Sequence, residues 1–329
     1  MLHKETVQKV RSFYDNKPLV IEGSNGSIGL SLLSVFKEYE ITPSRLILTT
    51  NSSGLDTDWY DFFPNLIHLK SSDNKYDESR LKILKDLKSI NVIYCSGYGR
   101  PSFFLKDPKS VVTANISNIL IYSKLNNLKS FSYMSTSEVY SGNQGSLDEN
   151  SKLITIPQHP RGIYIESKRL GEAIVENIIG KSVTRFASHR VALAFPPKLL
   201  KNDDRVMADL INNGLRDNII KLNGGGEFVR QYQYGPNCAK KILASMAQGK
   251  SNLYNNSGSH IVTLAELANL IGEILNMNVD IEVKTPNDLS APESVLIDSS
   301  KLHKEIGYSV VEELSLKEYI KLMINSKNV

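Results

Sequence analysis

The sequence predicts an α/β fold, a doubly wound parallel sheet followed by a smaller, mixed α/β C-terminal lobe. Three observations predict it. Short apolar runs alternate with helix-forming stretches as far as about residue 195, the pattern of parallel strands joined by crossover helices. The turn Gly23-Ser24-Asn25-Gly26-Ser27-Ile28-Gly29 falls between the first apolar run and the helix that follows it. Beyond about residue 195 the alternation loosens into shorter elements. At 329 residues, 41% of them hydrophobic, the chain is long for one domain and natural for a large core with a second lobe.

Taken in order, residues 1–16 read as a short polar helix packed on the core. Residues 18–22, Pro-Leu-Val-Ile-Glu, form the first strand, and 30–39 the helix after the glycine turn. Residues 46–50 make a second strand, and a Lys-rich helix around 78–88 leads to another at 92–95. Residues 108–127 read as one helix, 130–135 as a strand and 161–179 as a helix, and the next strand lies within 184–193. In the C-terminal part, Gly224-Gly225-Gly226-Glu227 reads as a flexible hairpin turn and not as a second phosphate cradle. No tandem repeat or low-complexity tract interrupts the chain.

The formal net charge is +4, with both signs dispersed. That is too mild to argue for nucleic acid but suits an anionic small molecule. Cys95 and Cys238 make neither a disulfide framework nor a metal cluster, and Cys95 reads as a buried strand residue. His189 and His260 have no ligand-spaced partners, so no metal is expected. The first residues lack the apolar stretch of a secretory signal, and no segment approaches the ~18 apolar residues of a membrane span. The expectation is a cytoplasmic protein that binds neither membrane nor nucleic acid.

The glycine turn has the context that gives such a motif meaning, a strand before it and a helix after it. Its glycines allow close approach to a pyrophosphate, and the helix start offers free N–H groups and a positive dipole end. Gly23, Ser24, Asn25, Gly26, Ser27, Ile28 and Gly29 are therefore expected to cradle a dinucleotide. A carboxylate at the end of the second strand would select NAD over NADP. Thr50 stands there, followed by Asn51-Ser52-Ser53, so both NAD and NADP are allowed. Asp73 is a candidate adenine contact.

Tyr164 and Lys168 lie four residues apart, one helical turn from each other on one face. A cation beside a phenol favours the phenolate, so the tyrosine's pKa is expected to fall and the pair to carry a proton during alcohol oxidation. On an arbitrary helix the same spacing gives a solvated surface pair. What distinguishes this one is the run Met134-Ser135-Thr136-Ser137-Glu138-Val139-Tyr140 upstream, at the carboxyl end of a strand, where open α/β sheets place their sites. Thr136 would hydrogen-bond the alcohol, and Glu138 would act as acid or base. Asn115 falls mid-helix, where asparagine is a poor former. That fits a polar role, although a surface position fits as well.

In these motifs, their order and their spacing, the chain resembles the extended short-chain dehydrogenases/reductases of the NAD-dependent nucleotide-sugar epimerase/dehydratase family. The resemblance covers nearly all of the chain after residue 17. Several runs are most similar to UDP-glucuronate decarboxylases: Pro101-Ser102-Phe103-Phe104-Leu105-Lys106-Asp107-Pro108, Thr136-Ser137-Glu138, Pro160-Arg161 through Glu166, Lys168 and Arg169, Asn202-Asp203-Asp204-Arg205-Val206, and Arg230-Gln231-Tyr232-Gln233-Tyr234. The resemblance implies a Rossmann-type dinucleotide-binding domain over 1–195 and a partly interleaved substrate lobe over 196–329, closed by helices at 264–275 and 298–306. It implies catalysis by Thr136, Glu138, Tyr164 and Lys168, with Ser137 and Arg230 in support. Cofactor contacts would include Thr50, Asp73, Ser96, Gly97, Asn115, Tyr164 and Lys168, and substrate contacts Tyr98, Arg205 and Arg230. The two arginines suit a diphosphate, since guanidinium forks bind phosphate oxygens in pairs.

The partner so implied is a nucleotide-diphosphate sugar, oxidised at C4 and then decarboxylated, dehydrated or epimerised. A homodimer through helices around 103–126 and 161–179 is also implied. Three positions depart from the family pattern. Leu193 stands where an asparagine usually touches substrate, Gly235-Pro236-Asn237 replaces a usual Val-x-Asp, and a basic residue expected near Ser290-Ala291-Pro292 is missing. These departures bear on the nucleotide and sugar more than on hydride chemistry, and they also suit a rival reading, a non-catalytic dinucleotide-binding sensor.

Overall fold

The structure is a computed structural model that describes residues 2–50, 58–70, 78–97, 99, 106–200, 203–282 and 294–326. Fourteen strands occur among the described residues. They are β1 Pro18–Glu22, β2 Arg45–Thr50, β3 Leu66–Lys70, β4 Ile90–Tyr94, β5 Leu128–Thr136, β6 Ser146–Leu147 and β7 Arg185–Val191, then β8 Leu193–Phe195, β9 Ile219–Asn223, β10 Val229–Tyr234, β11 Leu253–Asn256, β12 His260–Thr263, β13 Asn278–Glu282 and β14 Leu296–Ile297. Seven of them form the main sheet in the order β11-β7-β5-β4-β1-β2-β3, and every pairing in it is parallel.

The sheet is covered on both faces, which is why its central strands are near-continuous apolar runs. Along β1 the side chains alternate between two cores. Leu19 and Ile21 pack with Leu33 and Phe36 of helix Ser27–Glu38 and with Ile242 of helix Gly235–Gln248. Val20 packs on the other face with Tyr94, Tyr122 and Val175. A third core around Leu210, Ile220 and Ile271 holds the C-terminal elements together. Residues 235–256 run back to the main sheet, where β11 pairs with β7 and helix Gly235–Gln248 packs on helix Ser27–Glu38. The junction is tight: a Cβ on Gly235 would lie 2.6 Å from the Phe195 carbonyl oxygen.

Several sequence expectations need correction. The helix after the glycine turn starts at Ser27, three residues earlier than its apolar pattern suggests. Strand β3 escapes the sequence pattern because its residues are half-buried at the sheet edge and show no alternation. The single helix expected over 108–127 is two short helices, Pro108–Val112 and Asn118–Tyr122, joined by a π-helical turn at Thr113–Ser117. Gly224 and Gly225 do turn the chain, with φ of +79° and +68°, but not as a hairpin. β9 pairs with β13, whereas β10 pairs with β8 and β12, so the turn joins two different sheets. Cys95 lies one residue past β4 and is only partly buried.

Candidate active site

The glycine turn closes on backbone alone. Gly23 has φ +75°, and a Cβ there would lie 2.9 Å from the Ser96 backbone; one on Gly29 would lie 2.5 Å from the Ser24 carbonyl oxygen. Neither position accepts a side chain without moving the main chain. Ser24 donates its N–H and its hydroxyl to the Thr49 carbonyl at 3.0 and 3.1 Å, which ties the turn to β2. The N-cap residue is Gly26, which has no side chain to cap the helix, and a helix start presents N–H groups and a positive dipole end to an anion. Just beneath the turn, the buried Glu22 carboxylate accepts from Arg80 at 3.2 Å and from the Thr49 and Tyr122 hydroxyls. At the end of β2 Thr50 is buried, with its hydroxyl 2.7 Å from His68 Nε2.

Thr136 ends β5, and its Oγ1 accepts the Glu138 N–H at 3.2 Å, starting the short turn Ser137–Tyr140. The Thr136 side chain also favours ionisation of the Tyr164 phenol. Helix Gly162–Asn177 buries Tyr164, Ser167 and Lys168 together. Lys168 donates to the Met134 carbonyl at 2.8 Å and lies 5.1 Å over the Tyr133 ring. Burial lowers its pKa to about 8.

The expected fall of the Tyr164 pKa is not found. Burial and then the Glu138 carboxylate raise it, and the Thr136 side chain, Arg161 and Arg205 only partly offset them. Lys168 is not among the main groups that lower it, and its ammonium donates to the Met134 carbonyl.

Asn115, left open between a polar role and the surface, is fully buried in the π-helical turn. Such turns widen the helix locally and are frequent at functional sites. Asn115 Nδ2 donates to Ser167 Oγ at 2.9 Å, and Ser167 Oγ donates to the Tyr164 carbonyl at 2.8 Å. Asn115 Oδ1 is buried with no hydrogen-bond partner among the described residues. A Cβ on Gly97 would lie 2.6 Å from that oxygen and 3.0 Å from Lys168 Nζ. Gly97, Asn115 and Lys168 thus converge at the carboxyl end of β4, beside the glycine turn. The backbone cradle, the unpartnered amide oxygen and the buried ammonium fit a bound dinucleotide. Asp73 and Tyr98, two further expected contacts, lie outside the described residues.

A cavity of about 390 Å³ opens between this constellation and C-terminal residues such as Arg205, Arg230 and Met323, within the range of small-molecule sites. Ser27, Ile28, Thr136, Ser137, Glu138, Tyr164, Arg205 and Arg230 all line it. Arg205, expected as a diphosphate anchor, is already engaged. Its fork takes Asp203 at 2.5–3.1 Å, the Ala194 carbonyl at 3.1 Å and Ser27 Oγ at 2.9 Å. Arg230 donates to its neighbour's carbonyl at Val229 at 2.9 Å and stands 5.4 Å from the Phe228 ring centre. Glu138 does not stand alone, since Arg161 Nη1 donates to its Oε1 at 2.6 Å. Leu193, Phe195, Leu199 and Met323 add apolar lining to the cavity.

Sequence reasoning missed Arg161 and Ser167. Each stands inside a run already singled out, and position next to Tyr164 was the available signal. Glu172 was missed too: it accepts from Ser135 Oγ at 2.5 Å and pairs with Arg190 at 2.8 Å, bracing the end of β5. Among the described residues no cluster of three His, Cys, Asp or Glu side chains is placed to hold a metal, and no helix is long and apolar enough to cross a membrane.

Comparisons with known proteins bear on this arrangement. UDP-glucuronic acid decarboxylase 1 of Arabidopsis thaliana is 24% identical over 273 residues, covering 79% of this chain and 60% of its own length. The chain therefore spans under two thirds of that relative. UDP-glucuronic acid decarboxylase 1 of Xenopus tropicalis is 25% identical over 125 residues, 38% of this chain and 30% of its own. The fold is shared with UDP-glucose 4-epimerase of Thermotoga maritima, with a TM-score of 0.77, 20% identity, and coverage of 93% of this chain and 97% of the other. It is shared also with the dTDP-glucose 4,6-dehydratase of Streptomyces venezuelae, with a TM-score of 0.75, 17% identity, and coverage of 92% and 94%. A sequence model described as the NAD dependent epimerase/dehydratase family matches residues 19–256. That span runs from β1 to the last residue of β11 and takes in the glycine turn, Thr136, Tyr164 and Lys168, so the chain belongs to the NAD dependent epimerase/dehydratase family.

Proposed function

We propose that this chain oxidises the sugar of a nucleotide-diphosphate sugar at C4 with bound NAD, and that loss of the C6 carboxylate as carbon dioxide follows. The observation that carries this reading is that Thr136 and Tyr164 open onto the same cavity as Glu138, Arg161 and Arg230. A proton-transfer pair, a carboxylate and two guanidiniums then face one substrate. The family's NAD dependence supports NAD over NADP, and the similarity to UDP-glucuronic acid decarboxylases supports the uronate.

When bound, the nicotinamide supplies acceptance and return of a hydride. Thr136 orients the C4 hydroxyl, and Tyr164 takes its proton in the phenolate form. The resulting 4-keto group weakens the C5–C6 bond, so that a C6 carboxylate leaves as carbon dioxide and its electron pair passes towards the C4 oxygen. Having taken the C4 proton, Tyr164 is a neutral phenol, the form that burial and Glu138 favour, and is set to return that proton to the C4 oxygen, while C5 takes its new proton from solvent. Arg230, largely buried in the cavity wall, holds the carboxylate until it departs. The retained Thr136, Tyr164 and Lys168 set weighs against a purely sensing role.

Tyr164→Phe is expected to lose about 10²–10⁴ of turnover, measured as product mass from UDP-glucuronate; undiminished turnover would sink the assignment. Product lighter by carbon dioxide supports decarboxylation, loss of water a dehydratase, and unchanged mass an epimerase. Cofactor released by denaturing the purified protein and identified by mass tests NAD against NADP. A homodimer is part of the same reading, supported by exposed Val112, Ile163 and Leu170 on helices Pro108–Val112 and Gly162–Asn177. Light scattering that finds only monomer at high concentration would count against it.

A further inference from the structure

Arg205 ties together segments that are 178 residues apart. Its Nη2 donates to Ser27 Oγ at 2.9 Å and its Nη1 to the Ala194 carbonyl at 3.1 Å. Ser27 Oγ donates to that same carbonyl at 3.3 Å, so guanidinium, hydroxyl and strand close a triangle. Ser27 is the first residue of helix Ser27–Glu38, within the glycine turn. Ala194 is the middle residue of β8, between Leu193 and Phe195 of the cavity wall. Arg205 itself is the N-cap of helix Val206–Asp217, and its carbonyl accepts the Asp209 N–H at 2.9 Å. The first residues of that helix, Val206, Met207 and Ala208, also line the cavity. The buried Asp203 carboxylate takes Nε at 2.9 and 3.1 Å and Nη2 at 2.5 Å. It holds the fork in orientation, and it would repel a phosphate brought to the same fork.

We propose that Arg205 is a positioning residue that couples the dinucleotide cradle to the cavity: a nucleotide diphosphate seated in the cavity steadies Arg205 and, through Ser27, the glycine turn that retains NAD. This rests on the nucleotide-sugar reading of the cavity. One guanidinium orients two helix starts, the one in the glycine turn and the one in the cavity wall. Shifting either start strains the bonds to Ser27 and Ala194, and polar groups there that lose a partner away from water are costly. Lysine could not take the place of Arg205, because an ammonium is a point charge and cannot span Asp203, Ala194 and Ser27 as a planar fork does. Linkage makes the effect reciprocal, so NAD in the turn also favours the nucleotide diphosphate.

The test is exchange of bound NAD for isotope-labelled NAD on the intact protein, followed by mass, without UDP and with UDP at a concentration that calorimetry shows to be saturating. In the parent, UDP should slow exchange about fivefold or more, the low end of couplings between sites. Ser27→Ala removes the accepting hydroxyl and Arg205→Lys removes the fork. Each should leave exchange nearly the same with and without UDP, and the double variant should do no more than either, as expected for two ends of one link. Slowing by UDP in both variants as large as in the parent would mean that UDP only blocks the exit, and overturns the inference. No slowing in a parent that binds UDP overturns it, as do losses that add in the double variant. Loss of stability with the parent's UDP response kept marks a structural role only, and loss of UDP binding in either variant marks a direct anchor; both overturn it. In each of these outcomes the proposed function stands. Parent protein that binds neither UDP nor UDP-glucuronate overturns the proposed function and this inference with it.

Discussion

Lys168 shows how much a single side chain's surroundings decide. Its spacing from Tyr164 predicts a cation acting on the phenol. Its ammonium instead donates to the Met134 carbonyl, and burial brings its own pKa down to about 8. The sign of the linkage follows. Between about pH 8 and the ordinary lysine value the unfolded chain binds more protons than the folded one, so this group makes stability rise with pH there. Lys168→Met should remove that rise and stabilise the protein at neutral pH, read from urea unfolding at about pH 7 and about pH 9.5. Above that window the buried tyrosines, Tyr133 and Tyr164 among them, act the other way, since burial raises their pKa values. The same variant should also lose turnover, because Lys168 stands with Asn115 around Gly97. A Lys168→Met protein whose stability followed pH as the parent's does would refute this account of the site.

Among the elements, helix Gly162–Asn177 carries most of the chemistry, and one glycine sets its distance from the sheet. A Cβ on Gly171 would fall 2.2 Å from the Tyr133 hydroxyl, on the ring that Lys168 covers. Gly171→Ala should therefore push the helix off β5. Overpacking of this kind costs about 1–3 kcal/mol, read as a lower denaturation midpoint, and the displaced Tyr164 should cost turnover beyond the stability loss. Full activity in a destabilised Gly171→Ala protein would show that the helix position is not limiting. The helix itself was legible from residues 161–179. The π-helical turn at Thr113–Ser117 was not, because five residues are too few to show a period of their own. Only the packing of Asn115 onto Ser167 reveals why the widened turn is there.

Over the whole molecule, acid sensitivity follows from histidines buried as neutral rings. Burial lowers His189 to about 3 and His303 to about 4. Both are below the unfolded value, so their stability contribution is present above about pH 6.5 and is lost as pH falls towards the folded values. His189 stacks on Tyr254 at 5.6 Å across the pairing of β7 with β11. His189→Phe keeps a ring there and should flatten the acid limb of the stability curve, checked by unfolding at about pH 4 and about pH 7. An unchanged limb would place the acid sensitivity elsewhere. The sequence by itself determined the sheet's central strands, the glycine turn and the order of Thr136, Tyr164 and Lys168, because each is local: apolar runs, backbone-permissive glycines and helical spacing act within a few residues. The half-exposed edge strand β3 and the separate pairing of β9 and β10 carry no such local signal. Only the tertiary structure decided the Arg161–Glu138 pair across 23 residues, the Arg205–Ser27 bond across 178 and the rise of the Tyr164 pKa. Charge and burial depend on which distant segments share a cavity, and spacing along the chain does not record that.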